Sequence, residues 1–433
     1  SKPELAKLAD KIASIFVPVV VMIAVFTFFV WLSVGPEPSL AYAFVTAMTV
    51  LVIACPCALG LATPISVMVA VGRSAQAGIL IRNGDALQVA GTIDCLIVDK
   101  TGTVTEGKPT VTTIKHTKQY SEDEILQLAA SIEKGSEHPL AAAIMQAAAA
   151  KDLKLTRAKK FQAITGQGVS AMLKERAVIF GNAALMEDNQ VDYAVFGDTM
   201  DELASEGQTP MLLAVNNDIA GIISVSDPIK ADSAEAIKQL QAQGVRVVMV
   251  TGDNKATAKA IAVKAGLTEV RAEASPDEKA EVVKILQAEG KVVGMVGDGI
   301  NDAPALAQAN VGIAIGTGTD VAIESADIVV LQGSLLKIPE VILLSQATVS
   351  NIRQNLFGAF IYNSLSIPIA AGLFYPVFGI LLSPMVAGAA MAMSSVTVVA
   401  NANRLRWVDL YATDKTAKQH VLELVDAFKK SLA

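Results

Sequence analysis

The sequence predicts a multidomain membrane protein, an α-helical transmembrane bundle with an α/β domain inserted into it. Three observations predict this. The 433 residues are 52 % hydrophobic and 18 % charged, more apolar than an ordinary soluble enzyme. The charges are missing in blocks: none lies between Lys11 and Glu37, none between Glu37 and Arg73, and none between Arg353 and Arg404. From about residue 73 to 350 charges recur, and short apolar runs end at Asp or at Thr-Gly-Asp.

Each block has the length for a membrane element, since a spanning helix needs about 20 mostly apolar residues. The first gap fits one helix over 12–34, and the second fits one long helix over about 40–71. The third accommodates two, split near 374–384 by Tyr375-Pro376, Gly379 and Pro384. Between the gaps, Cys95-Leu-Ile-Val and Val245-Arg-Val-Val-Met-Val250 read as buried parallel strands. Helical segments at 232–243 and 277–289 alternate with them. Arg73, Arg82, Arg353, Arg404 and Arg406 flank the spans on one side, which puts the α/β domain in the cytosol. The polar tail 407–433 carries one amphipathic pattern, at 417–432.

Several classes are excluded. Thirty-five Lys and Arg against 42 Asp and Glu leave a net charge of −7, which argues against nucleic acid as a partner. Three cysteines cannot build a secreted disulfide framework. No Gly-x-x-x-x-Gly-Lys-Ser/Thr run occurs, so the chain is not a P-loop protein.

The most informative segment is Cys95-Leu-Ile-Val-Asp-Lys-Thr-Gly-Thr103, an apolar strand ending at Asp99 and followed by a Gly-containing turn. Ligands of open α/β sheets bind beyond the carboxyl ends of strands. Asp99 is therefore expected at the lip of a site, with the turn amides facing a phosphate. A carboxylate can attack phosphorus and form an aspartyl phosphate. Such chemistry needs a metal ion and cations against the spreading negative charge. Gly297-Asp-Gly-Ile-Asn-Asp302 offers Asp298 and Asp302 as hard oxygen ligands suited to Mg²⁺. Thr251-Gly-Asp253 ends another strand and offers a hydroxyl, and Lys279 offers a point charge. Each piece alone is usually just a turn; four in this order make coincidence a poor explanation. If ATP is the phosphate donor, residues 111–222, which interrupt the α/β pattern, are the natural nucleotide holder.

Cys55-Pro-Cys57 lies in the middle of the second gap. Pro56 removes a backbone hydrogen bond and disrupts the helix. Two thiolates there suit a soft monovalent ion such as copper(I). A kinked helix with two small buried cysteines is the structural alternative. Cys95, by contrast, reads as core.

Asp99-Lys-Thr-Gly-Thr103, Thr251-Gly-Asp253 and Gly297-Asp-Gly-Ile-Asn-Asp302 together resemble the signature of the P-type ATPases, relatives of the haloacid-dehalogenase-like phosphotransferases. Ser136-Glu-His-Pro-Leu140 and Cys55-Pro-Cys57 resemble their heavy-metal, copper-exporting branch. The resemblance covers nearly the whole chain. It implies a haloacid-dehalogenase-like phosphorylation domain (73–110 and 223–345) with an inserted α+β nucleotide-binding domain (111–222). The membrane parts would be 1–72 and 346–406. Asp99 would be phosphorylated by ATP, with Lys100, Thr101, Thr251, Gly252, Asp253 and Lys279 as its catalytic surroundings. Asp298 and Asp302, with Asp99 and the Thr101 backbone, would hold magnesium. Glu133, His138, Gly166, Gly168, Gly181 and Asn182 would cradle the nucleotide, Asn301 and Asp227 would also be cofactor-binding residues, and Asp227 matches a hinge position. Copper(I) would be held by Cys55, Cys57, Tyr362, Asn363, Met391 and Ser395; the last two are four apart and share a helix face.

Many dehalogenase-like phosphatases carry a second Asp two residues after the nucleophile, where this chain has Thr101. That loss should slow hydrolysis of the acyl phosphate. The zinc and cadmium class adds a Lys and an Asp in its last two spans, and this chain has no charge there. Uncharged ligands suit copper(I) or silver(I) in a low-dielectric site. The family's eight spans and its Thr-Gly-Glu actuator domain are not all matched, since four spans and no Thr-Gly-Glu are found. The expectation is therefore a partial pump, able to bind nucleotide and phosphorylate Asp99 without completing a cycle. The implied partners are the lipid bilayer, a copper chaperone and a segment or chain carrying the actuator. The implied location is a multi-pass position in the bacterial inner membrane. Alternatives are a zinc or cadmium pump, a membrane-anchored phosphatase and a non-catalytic metal-binding membrane subunit.

Overall fold

The computed structural model describes residues 4–136, 139–164, 166–316 and 320–410. They divide into two compact units. The first contains the chain up to Ile93, residues 327–331 and everything from Lys337 on; the second contains Asp94–Ala326 and Gln332–Leu336. The expected tail helix at 417–432 lies outside the described residues.

The chain opens with α1 (Glu4–Val34) and α2 (Ser39–Ile53). Where the charge pattern predicts one long helix over 40–71, α2 stops and α3 (Cys57–Gln76) begins after Pro56. Proline has no N–H to donate and its ring crowds the preceding turn, and here the ladder breaks, whereas Pro18 and Pro64 are accommodated inside α1 and α3. Cys55 N instead donates to Val52 O in a tightened last turn, and Gly60 N resumes the helix by donating to Pro56 O. A short strand β1 (Ile79–Ile81) and helix α4 (Gly84–Ala90) follow, the latter capped by the Asn83 side chain.

The second unit has two sheets. Strand β2 (Cys95–Asp99) begins the first and is buried along its whole length. The chain then leaves for an insertion of β3 (Thr110–His116), α5 (Glu122–Glu133), α6 (Pro139–Ala150), β4 (Ala158–Ile164), β5 (Gly168–Leu173), β6 (Arg176–Gly181), α7 (Ala183–Asp188), α8 (Gly197–Ser205), β7 (Thr209–Val215) and β8 (Asp218–Ser226). Its six strands pair antiparallel in the order β3-β8-β7-β6-β5-β4. Side chains of a strand alternate between faces. Met211, Leu213 and Val215 of β7 accordingly join α5 and α6 in one core, while Leu212 and Ala214 join α7 and α8 in another.

After the insertion come α9 (Ser233–Ala242), β9 (Arg246–Val250), α10 (Lys255–Lys264), β10 (Glu269–Arg271), α11 (Pro276–Ala288), β11 (Val293–Gly297), α12 (Ala303–Gln308), β12 (Val311–Ile315) and α13 (Asp320–Ser325). Strands β12-β11-β2-β9-β10 lie side by side and parallel. β2, first in sequence, sits in the centre between β9 and β11. That order leaves the carboxyl ends of β2, β9 and β11 adjacent, the place where such sheets bind ligands.

The first unit resumes with β13 (Ile328–Val330), antiparallel to β1, then α14 (Lys337–Ala370), the short α15 (Tyr375–Phe378) and α16 (Pro384–Asn403). Three helical stretches among the described residues are long and apolar enough to cross a membrane: Lys11–Val34, Ser39–Gln76 and Pro384–Trp407. The fourth expected span falls in the charge-free second half of the 34-residue α14, which is not among these three. Large apolar side chains face outward on these helices, Phe26 at 70 % and Leu365 at 66 % exposure. Outward apolar residues mark a lipid-facing surface rather than a soluble one. Inside, Val20, Val50, Ile53, Ile367 and Met391 form one core beside the helix break.

Candidate active site and ion site

Asp99 ends β2, Thr251 follows β9, and Asp298 follows β11, so the parallel register carries all three to one edge. Oxygens of Asp99, Asp298 and Asp302 lie within 4.8 Å of one another. Lys279, in the first turn of α11, places its Nζ 2.5 Å from Asp99 Oδ1 and 2.8 Å from Asp302 Oδ1. Helix α11 is fixed for this by a capping box between Ser275 and Glu278. Asp302 Oδ2 accepts from the Asp298 and Gly299 amides, both at 3.3 Å, which shapes the Gly297–Asp302 turn around its own carboxylate. A cavity of about 560 Å³ opens here, lined by Asp99, Lys100, Thr101, Thr251, Gly252, Asp253, Lys279, Asp298, Asn301 and Asp302. Leu140, Thr209 and Val225 of the insertion reach its rim.

The electrostatics are those of a crowded acidic pocket. Burial, then the neighbouring Asp302, pushes the Asp99 carboxyl up to about 7. The same two causes raise Asp298 to about 6. Burial works against the Lys279 ammonium, but Asp99 and Asp302 outweigh it and hold its pKa above the ordinary value. Three clustered carboxylates with one ammonium are a donor set for a hard divalent cation, which would relieve the repulsion. Lys100 and Asp253 pair across the cavity mouth at 2.8 Å. The turn after Asp99 depends on Gly102, whose φ is +69°. A Cβ there would sit 1.6 Å from Asp298 Oδ2, so only glycine lets the turn close on that carboxylate.

Asp227 lies where β8 returns to the parallel sheet. Its carboxylate accepts from Thr105 Oγ1 at 2.6 Å and from the Gly107 and Lys108 amides at 3.2 and 3.0 Å. It thus ties together the outgoing and returning strands of the insertion.

Of the expected nucleotide residues, Asp227 and Asn301 line the Asp99 cavity, whereas the others described lie elsewhere, within the insertion. Gly168 and Gly181 face each other across β5 and β6, and a Cβ on either would collide with backbone at 2.3 and 2.2 Å. Asn182 caps α7 through Leu185 N and donates from Nδ2 to Gly166 O at 2.9 Å. Gly166 has open space where a side chain would be. Glu133 ends α5 and is buried; burial pushes its carboxyl up, against a hydrogen bond from Ser136. Its Oε2 finds no hydrogen-bond partner among the described residues. None of these residues of the insertion lines the Asp99 cavity. His138 lies outside the described residues.

In the membrane unit, the break at Pro56 brings Cys55 and Cys57 together, their Cα atoms 5.4 Å apart and their sulfurs joined as a disulfide. The sequence predicts two thiolates instead, and a soft ion can be ligated only by the reduced pair. Asn363 is buried and donates from Nδ2 to Cys55 O at 3.3 Å, satisfying a carbonyl freed by the break. Its Oδ1 has no partner among the described residues. Met391 packs in the same core as Cys55. Tyr362 and Ser395 stand apart from this: Tyr362 is 38 % exposed, and Ser395 Oγ bonds back to Met391 O on its own helix.

Two groups escape sequence reasoning. Ser66, Asn351, Asn355 and Asn401 form a hydrogen-bonded belt linking α3, α14 and α16. The two asparagines four apart in α14 are its only sequence trace. The other is Lys230, in Asp227-Pro-Ile-Lys230, whose Nζ reaches the Gly102 carbonyl.

Residues 93–310 match the model of the haloacid dehalogenase-like hydrolase family. The chain is 50 % identical over 410 residues to a silver exporting P-type ATPase of Salmonella typhimurium, covering 95 % of this chain and 50 % of that protein. It is 49 % identical to a copper-exporting P-type ATPase of Vibrio cholerae, covering 94 % of this chain and 44 % of that one. The chain thus spans about half the length of the curated relatives it matches. Among solved structures, a zinc-transporting PIB-type ATPase in its E2.Pi state superposes with a TM-score of 0.73 at 36 % identity, over 92 % of this chain and 63 % of that one. The catalytic domain of the CPx-ATPase CopB-B matches with a TM-score of 0.50 at 26 % identity, over 64 % of this chain and 98 % of that one.

Proposed function

Because this chain belongs to the haloacid dehalogenase-like hydrolases, and among them to the heavy-metal P-type ATPases, we propose that it serves ATP-driven export of copper(I) or silver(I) through an aspartyl phosphate at Asp99. The observation that carries this is the convergence of Asp99, Asp298, Asp302 and Lys279 at the strand ends of one parallel sheet.

In the forward step an Asp99 oxygen attacks the γ-phosphorus of ATP. The bond from phosphorus to the β–γ bridging oxygen breaks, and ADP leaves with the electron pair. Lys279 and the Thr251 hydroxyl face the phosphoryl oxygens, and the turn from Lys100 to Gly102 contributes backbone amides. Asp99, Asp298 and Asp302 would hold Mg²⁺, which neutralises charge spreading over the phosphoryl group. Thr101 offers no carboxylate to activate water, so the acyl phosphate outlives its formation. The nucleotide would rest in the insertion against Glu133, Gly166, Gly168, Gly181 and Asn182. The cargo ion would be taken by the reduced Cys55–Cys57 pair with Met391, and Asn363 would orient the broken helix. Identities near 50 % to silver and copper exporters favour the monovalent cargo. So does the absence of charge between Arg353 and Arg404.

The test is phosphorylation of the membrane-reconstituted chain by γ-labelled ATP. Asp99→Asn should abolish the acid-stable label, and Cys55→Ser should abolish copper(I) binding measured against a chelator. Label persisting in Asp99→Asn, or hydrolysis of simple phosphate esters without ATP binding, would point to a different enzyme.

A further inference from the structure

We propose that Lys230 is a positioning residue for phosphoryl transfer: its ammonium clamps the Gly102 carbonyl to the Gly333 carbonyl and so holds the turn after Asp99 against Asp298. The proposal rests on Asp99 being the phosphate acceptor.

Lys230 follows the hinge at Asp227, and the whole segment from 227 to 233 lies along the outgoing chain. Glu106 N donates to Pro228 O, Lys230 N to Val104 O, and Ser233 Oγ to Val104 O. Thr105 and Ile229 form an isolated bridge. From this rail the Lys230 side chain reaches Gly102 O and, at 2.8 Å, Gly333 O. Gly333 and Gly316 both adopt positive φ and face each other, a Cβ on either falling 3.6–3.8 Å from the other's Cα, so the second anchor belongs to a close pair of glycine turns beyond β12. Gly102 is thus held from two sides. Its missing Cβ makes room for the Asp298 carboxylate, and its carbonyl is taken by the ammonium.

The choice of a lysine is informative. Both hydrogen bonds end on neutral carbonyls, and half-burial lowers the ammonium's pKa against the pull of Asp298, Asp232 and Asp227. Desolvating a cation for two carbonyls is a poor bargain for a strut alone. The charge gains its use from the turn it fixes, which closes on the Asp298 carboxylate at Gly102. Lys230 does not line the Asp99 cavity, whereas Asp99, Lys100 and Thr101 do. It therefore acts through the turn and through Asp298, not on the substrate. A bond to Gly102 O also polarises the peptide it shares with the Thr103 N–H, inside the turn that wraps the phosphoryl site.

The experiment compares Lys230→Met, Lys230→Gln and Lys230→Arg in the full chain, reconstituted in membrane. Labelled acyl phosphate formation, binding of a non-hydrolysable ATP analogue and the Mg²⁺ concentration for half-maximal labelling are measured. Lys230→Met should slow labelling about tenfold or more and raise the half-maximal Mg²⁺ severalfold, with analogue binding within about twofold. Lys230→Arg, which keeps charge and donors, should recover most of the rate. Labelling by Lys230→Met at the unmodified rate, or no gain in Lys230→Arg over Lys230→Met, overturns the proposal. If Lys230→Met fails to fold, Lys230→Gln decides: it keeps a donor without the charge, and an unchanged Mg²⁺ requirement overturns the proposal. Label surviving in Asp99→Asn overturns the acceptor assignment and this proposal with it; label lost in Asp99→Asn but unaffected in the Lys230 variants overturns this proposal alone.

Discussion

A carboxyl buried beside two others resists ionisation, and Asp99 is such a carboxyl. It is raised to about 7 and Asp298 to about 6, in each case by burial and then by Asp302. Both values lie above the ordinary unfolded range near 4. Between about pH 4 and 7 the folded chain therefore holds protons that the unfolded chain has released. The contribution of these groups to stability is largest below pH 4 and falls as pH rises to 7. The metal-free chain should show this decline in thermal unfolding, and Asp302→Asn should flatten it. Mg²⁺ must displace the same protons. Calorimetric titration in buffers of different ionisation enthalpy should detect proton release on Mg²⁺ binding near pH 6, fading above pH 8; an absence of released protons would contradict the raised values. Gly102 permits a sharper test. In Gly102→Ala the new methyl meets Asp298 Oδ2 at 1.6 Å on a backbone with φ of +69°. Strain at such sites costs about 1–3 kcal/mol, and here the turn must open to relieve it. Acyl phosphate formation should fall about 100-fold while binding of an ATP analogue to the insertion stays unchanged.

Among the elements, α3, α14 and α16 owe their registry to polar contacts as well as packing. Ser66 Oγ donates to Asn351 Oδ1 at 2.8 Å, Asn351 Nδ2 to Asn401 O at 2.8 Å, and Asn401 Nδ2 to Asn355 Oδ1 at 2.9 Å. Lipid tails are as apolar as the helix faces, so hydrophobicity alone specifies little about which faces meet. Asn355→Leu removes one acceptor and a donor from this belt and leaves buried partners unsatisfied, a loss of about 1–3 kcal/mol. A drop in thermal stability in detergent, with ATP-analogue binding by the insertion unaltered, is the expected outcome. The break between α2 and α3 is the opposite case. There one proline overrides the helical pattern on both sides, and Asn363 answers one of the carbonyls it frees.

For the whole molecule, the exposure of large apolar side chains such as Met22, Phe26, Leu365 and Met385 suits the first unit to lipid rather than water. The chain should fractionate with membranes, resist extraction by high salt, and enter solution as a monodisperse species only with detergent, as sedimentation would show. Among the described residues the second unit carries apolar cores of its own, two in the insertion and one against the parallel sheet.

The sequence by itself determined the partition into membrane and α/β segments, because hydropathy is additive along the chain and a gap in charge needs no partner to be recognised. It also singled out Asp99, Asp298, Asp302, Thr251 and Lys279, which line one cavity in the structure, because each closes a strand or opens a helix within a few residues of a legible local signal. Only the tertiary structure decided that β2 lies between β9 and β11, and hence that these groups share one cavity. Strand order is a property of how the whole sheet packs, not of any strand. The raised carboxyls of Asp99 and Asp298 are decided at the same level, since burial and mutual repulsion exist only after the strands meet. Lys230 is the extreme instance: its partners lie 128 and 103 residues away in sequence, and neither is more than a glycine carbonyl. A backbone oxygen leaves no trace in a sequence, so a side chain that works by holding one can be found only where the chain has folded back on itself.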